Sequence, residues 1–136
     1  MSSNVKLYII LLFITLVIDL FVINIFFKKM WEKNIENIQN EKLQVNVKYG
    51  LVTYFLIPLG ILLFVYPKID KKEWIQTSLL YGFLFGIVTY GIFDFTNLSL
   101  FKKYSLNIAI IDTLWGGILC AIVALISYQI YLLLKI

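Results

Sequence analysis

The chain has 136 residues, 61% of them hydrophobic, and a mean hydropathy of +0.89, more than a soluble core of this size requires. Its net charge of +4 comes from 12 Lys and no Arg, spread through connections and tails, which excludes a bidentate guanidinium clamp and argues against nucleic-acid binding. There is no His and one Cys, Cys120, so His/Cys zinc sites, imidazole haem ligation, Ser-His-Asp triads, Cys-His dyads and an intramolecular disulfide are excluded too.

A bilayer core about 30 Å thick takes roughly 20 apolar helical residues. Four runs qualify, at about 7–27, 49–66, 75–95 and 107–134. The expected fold is all-α: a polytopic membrane protein with a four-transmembrane-helix bundle, one domain over 1–136, and a polar connection at 28–48. Run one is too long for a signal peptide and ends in Phe26-Phe27-Lys28-Lys29, so it reads as a retained helix. A soluble bundle would need a polar face on each helix, and Leu59 to Tyr66 offers none.

In the first connection Trp31, Ile35, Ile38 and Val45 recur near helical spacing, with Glu32, Glu36 and Glu41 between them. This reads as an interfacial helix or an extension of helix one, with a partner-docking surface as the alternative. Run two holds Pro58, which removes one backbone donor and favours a kink. Such a kink is tolerated in a membrane where neighbours re-satisfy the freed carbonyl. "PKIDKKEW" (67–74) follows as a tight polar turn flanked by Tyr66 and Trp74, which suit an interfacial aromatic belt. The first and third connections carry Lys28, Lys29, Lys33, Lys42, Lys48, Lys102 and Lys103, against Lys6, Lys68, Lys71, Lys72 and Lys135 on the other side. By the positive-inside rule this leans toward both termini facing away from the cytoplasm.

Outside the connections only three acidic residues remain: Asp19, Asp94 and Asp112. A mid-helix Asp costs on the order of 2.5–3.5 kcal/mol to insert, so each needs a reason. In run three Tyr90 and Asp94 are four apart on one face, which Asn97 extends. Gly82 and Gly86 precede them in a G-x-x-x-G spacing that lets another helix approach closely. In run four Asp112, Trp115 and Gly116 share a face that continues through Cys120 and Ala124. The turn near Lys102-Lys103-Tyr104-Ser105 is short, so helices three and four are antiparallel neighbours with Asp94 and Asp112 at similar depth. Asp19 joins them if run one packs alongside, with Thr96, Asn97, Tyr90 and the Trp115 indole as hydrogen-bond partners. Three such carboxylates cannot all be ionised without counter-charge, because desolvation and like-charge repulsion both disfavour it. The alternative is that Asp94 and Asp112 merely cap backbone N–H groups at the end of helix three and the start of helix four.

The order Tyr90-Gly-Ile-Phe-Asp94-Phe-Thr96-Asn97-Leu98, then Ile-Ile-Asp112-Thr-Leu-Trp115-Gly116, resembles a family of small four-helix membrane proteins, domain of unknown function 2177. "VIDL" around Asp19 and "YFLIPLG" in run two extend the likeness over nearly the whole chain. Two places depart from the family's pattern: Val22, where a Trp often follows the first Asp, and Ser99-Leu100, in place of a small Ala-Thr step. The resemblance implies the architecture and carries no activity with it.

Three functions are compatible with these residues. The first is a proton or small-cation transporter or channel using Asp19, Asp94 and Asp112. Four helices leave little room for a private path, so this implies a homo-oligomer. The second is a scaffold or partner-binding module whose polar residues join helices. The third is a metal-dependent lipid-modifying enzyme, weakened by the lack of an Asp series on one helix and of Arg. No Lys lies inside a run, so a retinal Schiff base is discounted, and no cofactor is expected.

Overall fold

The computed structural model describes residues 2–136 and is all helical. Four of its helices are long and apolar enough to cross a membrane. The first span begins with α1 (Ser3–Val22), capped by the Ser2 hydroxyl, which accepts from the Val5 N–H at 3.4 Å. It continues through a π-helical turn (Ile23–Phe27) into α2 (Lys28–Gln39). The result is one helical rod of 37 residues, roughly 55 Å long at 1.5 Å per residue. Its polar last third therefore stands beyond the hydrocarbon, so the 28–48 connection is in large part an extension of helix one. Asn40, left-handed with φ 59°, ends it, as Asn can where most residues are strained.

The second span comprises α3 (Val47–Gly60), a π-helical turn (Ile61–Val65) and a short 3₁₀ turn (Tyr66–Lys68). Pro58 lies three residues before that π turn. Its ring removes the donor for the carbonyl four residues back, that of Tyr54. α4 (Trp74–Leu100) and α5 (Leu106–Leu134) form a hairpin, with the Ser105 hydroxyl capping α5 at the Ile108 N–H. Helix three thus runs five residues past the expected end at 95.

α5 is the central element. In its most apolar stretch 56% of residues are buried, against 17–22% in the other three spans. α1 and α4 flank it, and α3 packs on α1. At the α4–α5 seam a Cβ added to Gly82 would come within 2.6 Å of the Cys120 carbonyl, and one on Gly86 would strike the backbone of Gly116 and Gly117. The backbones approach this closely only because the glycines have no side chain. Leu11, Ile61, Leu119 and Val123 fill the interior beside that seam. Phe13, Phe26, Phe64 and Ile92 point outward and are exposed, an apolar exterior suited to lipid and not to water.

α3 and α4 are in contact only at one end. There the Phe85 ring lies on Gly60 and the π turn packs against α4; toward Gly50 and Phe93 the two helices part. At that end α2 folds over the α4–α5 turn, with Met30, Trp31 and Ile38 packed on Tyr104, Ile108 and Ala109. At the opposite end Tyr128 meets the rings of Tyr66, Trp74 and Tyr131 at 5.6–5.9 Å, and the Tyr66 hydroxyl donates to Ser127 Oγ at 2.8 Å. Tyr66 and Trp74, read as belt anchors, close this end together.

Candidate functional site: three buried carboxylates and a cleft

Asp19 lies in the last turn of α1, just before the π turn, and is 4% exposed. The Tyr54 hydroxyl of α3 donates to its Oδ2 at 2.8 Å, and the Trp115 indole N–H of α5 donates to Oδ1 at 2.9 Å. This one carboxylate therefore ties three spans together. Phe27, at the end of the π turn, packs on the Trp115 ring with centroids 5.9 Å apart. Val22 brings no indole to Asp19; Trp115 brings one from across the bundle.

Asp94 is fully buried on the α4 side of the hairpin seam. The Tyr104 hydroxyl donates to Oδ1 at 2.8 Å and Thr113 Oγ1 donates to Oδ2 at 3.3 Å. Tyr104 is itself held by an edge contact from Trp31, centroids 6.3 Å apart, and by the turn bond from its N–H to the Phe101 carbonyl. Asn34 of α2 fixes the same turn, its Oδ1 accepting from the Ser105 N–H at 3.1 Å. Burial, and then the Asp94 carboxylate beside it, pushes the Tyr104 phenol above its ordinary range, so it remains a donor where an exposed tyrosine would ionise.

Asp112 faces Asp94 from α5, with the two carboxyls within hydrogen-bonding reach of each other. It is 8% exposed. Tyr54, Trp115, Tyr104 and Thr113 donate to Asp19 and Asp94, and among the described residues no hydroxyl or indole donates to Asp112, whose carboxyl adjoins that of Asp94. Its open side fronts a cleft of about 400 Å³, which it lines together with Asp19, Tyr54, Ile57, Tyr90 and Phe93.

The capping alternative is overturned. α4 continues to Leu100 and α5 starts at Leu106, so both acids lie inside helices; Asp94 bonds to Tyr104 and Thr113 across the hairpin, not to backbone N–H groups, and Ser105, not Asp112, caps α5. Trp115 reaches a carboxylate as expected, but the other three expected partners do not. Tyr90 lies across Gly116 and lines the cleft. Asn97 is beside the Tyr104 hydroxyl. Thr96 is exposed, two residues and so about 200° around the helix from Asp94. Gly82, Gly86 and Gly116 all lie at the seam.

Tyr54, Tyr104 and Thr113 complete the site and were not singled out from the sequence. Thr113 meets Asp94 and Gly91 of α4, whereas Trp115 turns toward Asp19 of α1 and Asp112 sits between Asp94 and the cleft. Reading those two as the seam hid the adjacent threonine. Tyr104 sits in a turn, where no periodicity points to a partner. Tyr54 had one signal, its place four residues before Pro58.

Four apolar spans around buried carboxylates define a multi-pass integral membrane protein. The chain belongs to the family described as Predicted membrane protein (DUF2177), which matches residues 4–129. No curated protein and no solved structure matches it.

Proposed function

We propose that this protein takes up and passes on a proton or small cation through Asp112 and Asp94, with Asp19 as a third carboxylate on the cleft wall. One observation carries the reading: Asp112 is nine-tenths buried, adjoins a second carboxylate, and draws no hydroxyl or indole donor. Two adjoining buried carboxylates, one of them without such support, need a proton or a cation between them. Intramembrane acids of this kind mark proton and ion pathways more often than they serve packing. Leu11, Ile61, Leu119 and Val123 fill the interior beyond the site, so passage requires rocking of one helix pair against the other or a homo-oligomer that contributes the second half of the path.

The test is proton and cation flux in liposomes reconstituted with wild-type protein and with Asp94→Asn plus Asp112→Asn, each first checked for fold. Flux in the wild type alone supports the reading; equal flux in both, or none in either, ends it. The second reading is a scaffold or partner-binding module. It draws on Asp19, whose two bonds to Tyr54 and Trp115 join three spans as structural glue, a role membrane hydrogen bonds fill at an average of about 0.6 kcal/mol each. In that case neither the wild type nor the variant carries flux, and only the stability of the variant falls.

A further inference from the structure

We propose that the cleft between α3 and α4 binds an amphipathic organic cation that enters sideways from the bilayer. Its positive head rests on Asp112 and its apolar part lies in the cleft and among the lipid chains. This rests on the cation-handling reading above and names its substrate class.

The size of the cleft comes first. About 400 Å³ is the volume of a small organic ligand site, far more than a bare proton or metal ion needs. Among the described residues, moreover, no three His, Cys, Asp or Glu side chains are grouped to hold a metal ion.

The walls give the chemistry. Trp31, Tyr54, Tyr90 and Phe93 supply aromatic rings, Ile57 adds an aliphatic patch, and the charged lining residues are Asp19 and Asp112. Aromatic faces with carboxylates favour a weakly hydrated ammonium or phosphonium head, which combines charge pairing with cation–π attraction at a small desolvation cost. Asp19 already has both oxygens bonded. Asp112, 8% exposed and fronting the cleft, has no such donor, so it is the group with an acceptor to offer.

The mouth gives the route. α3 and α4 touch at Gly60 and Phe85 and separate toward Gly50 and Thr53 on one side and Thr89 and Phe93 on the other. These residues lie toward the Trp31 and Lys48 end of two apolar spans, so the opening faces the bilayer near its interface. A Cβ built on Gly50 meets nothing within 4 Å, so the mouth is unobstructed there.

The experiment is isothermal titration of the full chain in a non-ionic detergent with tetraphenylphosphonium, using neutral triphenylphosphine oxide as the shape control. The wild type is expected to bind the phosphonium saturably and the oxide far more weakly. Asp112→Asn should weaken binding on the order of tenfold or more. Gly50→Leu fills the mouth, keeps every charge and has room to fold, and it should weaken binding comparably. No saturable binding, equal affinity in Asp112→Asn, unchanged affinity in Gly50→Leu, or equal binding of the oxide overturns the proposal. Its failure is separable from that of the transport reading. Carboxylate-dependent proton flux without phosphonium binding removes only the organic-cation site. Binding through Asp112 without any protein-dependent flux removes transport and keeps the site.

Discussion

Asp94 and Asp112 face each other across one helical hairpin, yet their surroundings are opposite. Asp94 is wholly buried, and a phenol and a threonine hydroxyl serve its two oxygens. Asp112, a side chain away, fronts a cleft and draws no comparable donor. Asp94 is thus held by fixed donors, while Asp112 is the member of the pair open to exchange with the cleft. The contrast follows from the packing of the seam. Glycines draw α4 and α5 together and close the Asp94 side, while α3 and α4 part on the other side and leave Asp112 open. A buried acid is therefore not one kind of feature, since its donors and its access decide between glue and function.

The largest expected effect comes from breaking the seam itself. Gly86→Leu drives a side chain into the Gly116 and Gly117 backbone, which cannot give as a flexible side chain would. The cost should reach or exceed the roughly 1–3 kcal/mol typical of overpacking, read as a large fall in the thermal midpoint of the detergent-solubilised protein. Retention of the wild-type midpoint would mean that the hairpin does not pack as described.

Next comes a pair of matched deletions, one at the closed Asp94 and one at Asp19 on the cleft wall. Tyr104→Phe strips a donor from the fully buried Asp94, and its cost should approach the upper end of membrane hydrogen bonds, about 1.7 kcal/mol. Tyr54→Phe strips one from Asp19, which keeps Trp115 and borders the cleft, and should cost nearer the average of about 0.6 kcal/mol. Reversible unfolding in mixed micelles would rank them, and equal costs would erase the distinction between closed and open sites. Comparable to Tyr54→Phe is Asn34→Leu, which loses the Ser105 bond and loosens α2 from the turn, for about 0.5–1.5 kcal/mol. Faster amide exchange at Tyr104 and Ser105 would accompany it, and unchanged exchange would show that α2 does not hold the turn.

The four spans were legible in hydropathy because lipid demands an uninterrupted apolar run. Their ends were less so, and for a physical reason. Lys28 and Lys29 end the apolar run and not the helix, which continues to Gln39. Thr96, Asn97 and Ser99 resembled a helix end, yet the Ser99 hydroxyl bonds back to the Thr96 carbonyl at 2.8 Å, satisfying itself within a helix that runs to Leu100. The three acids were visible as costly exceptions to an apolar pattern. What they bond to was not, because Tyr54 and Tyr104 approach from another helix and a turn, contacts that only tertiary packing creates.

The most direct test of the account is the carboxylic-acid carbonyl band in the infrared spectrum of reconstituted protein at neutral pH, with aspartate isotopically labelled. The account predicts a labelled protonated-carboxyl band in the wild type, shared by the Asp94–Asp112 pair, that persists in Asp19→Asn and disappears in Asp112→Asn. A wild type without that band, or a band that Asp112→Asn leaves untouched, would contradict it.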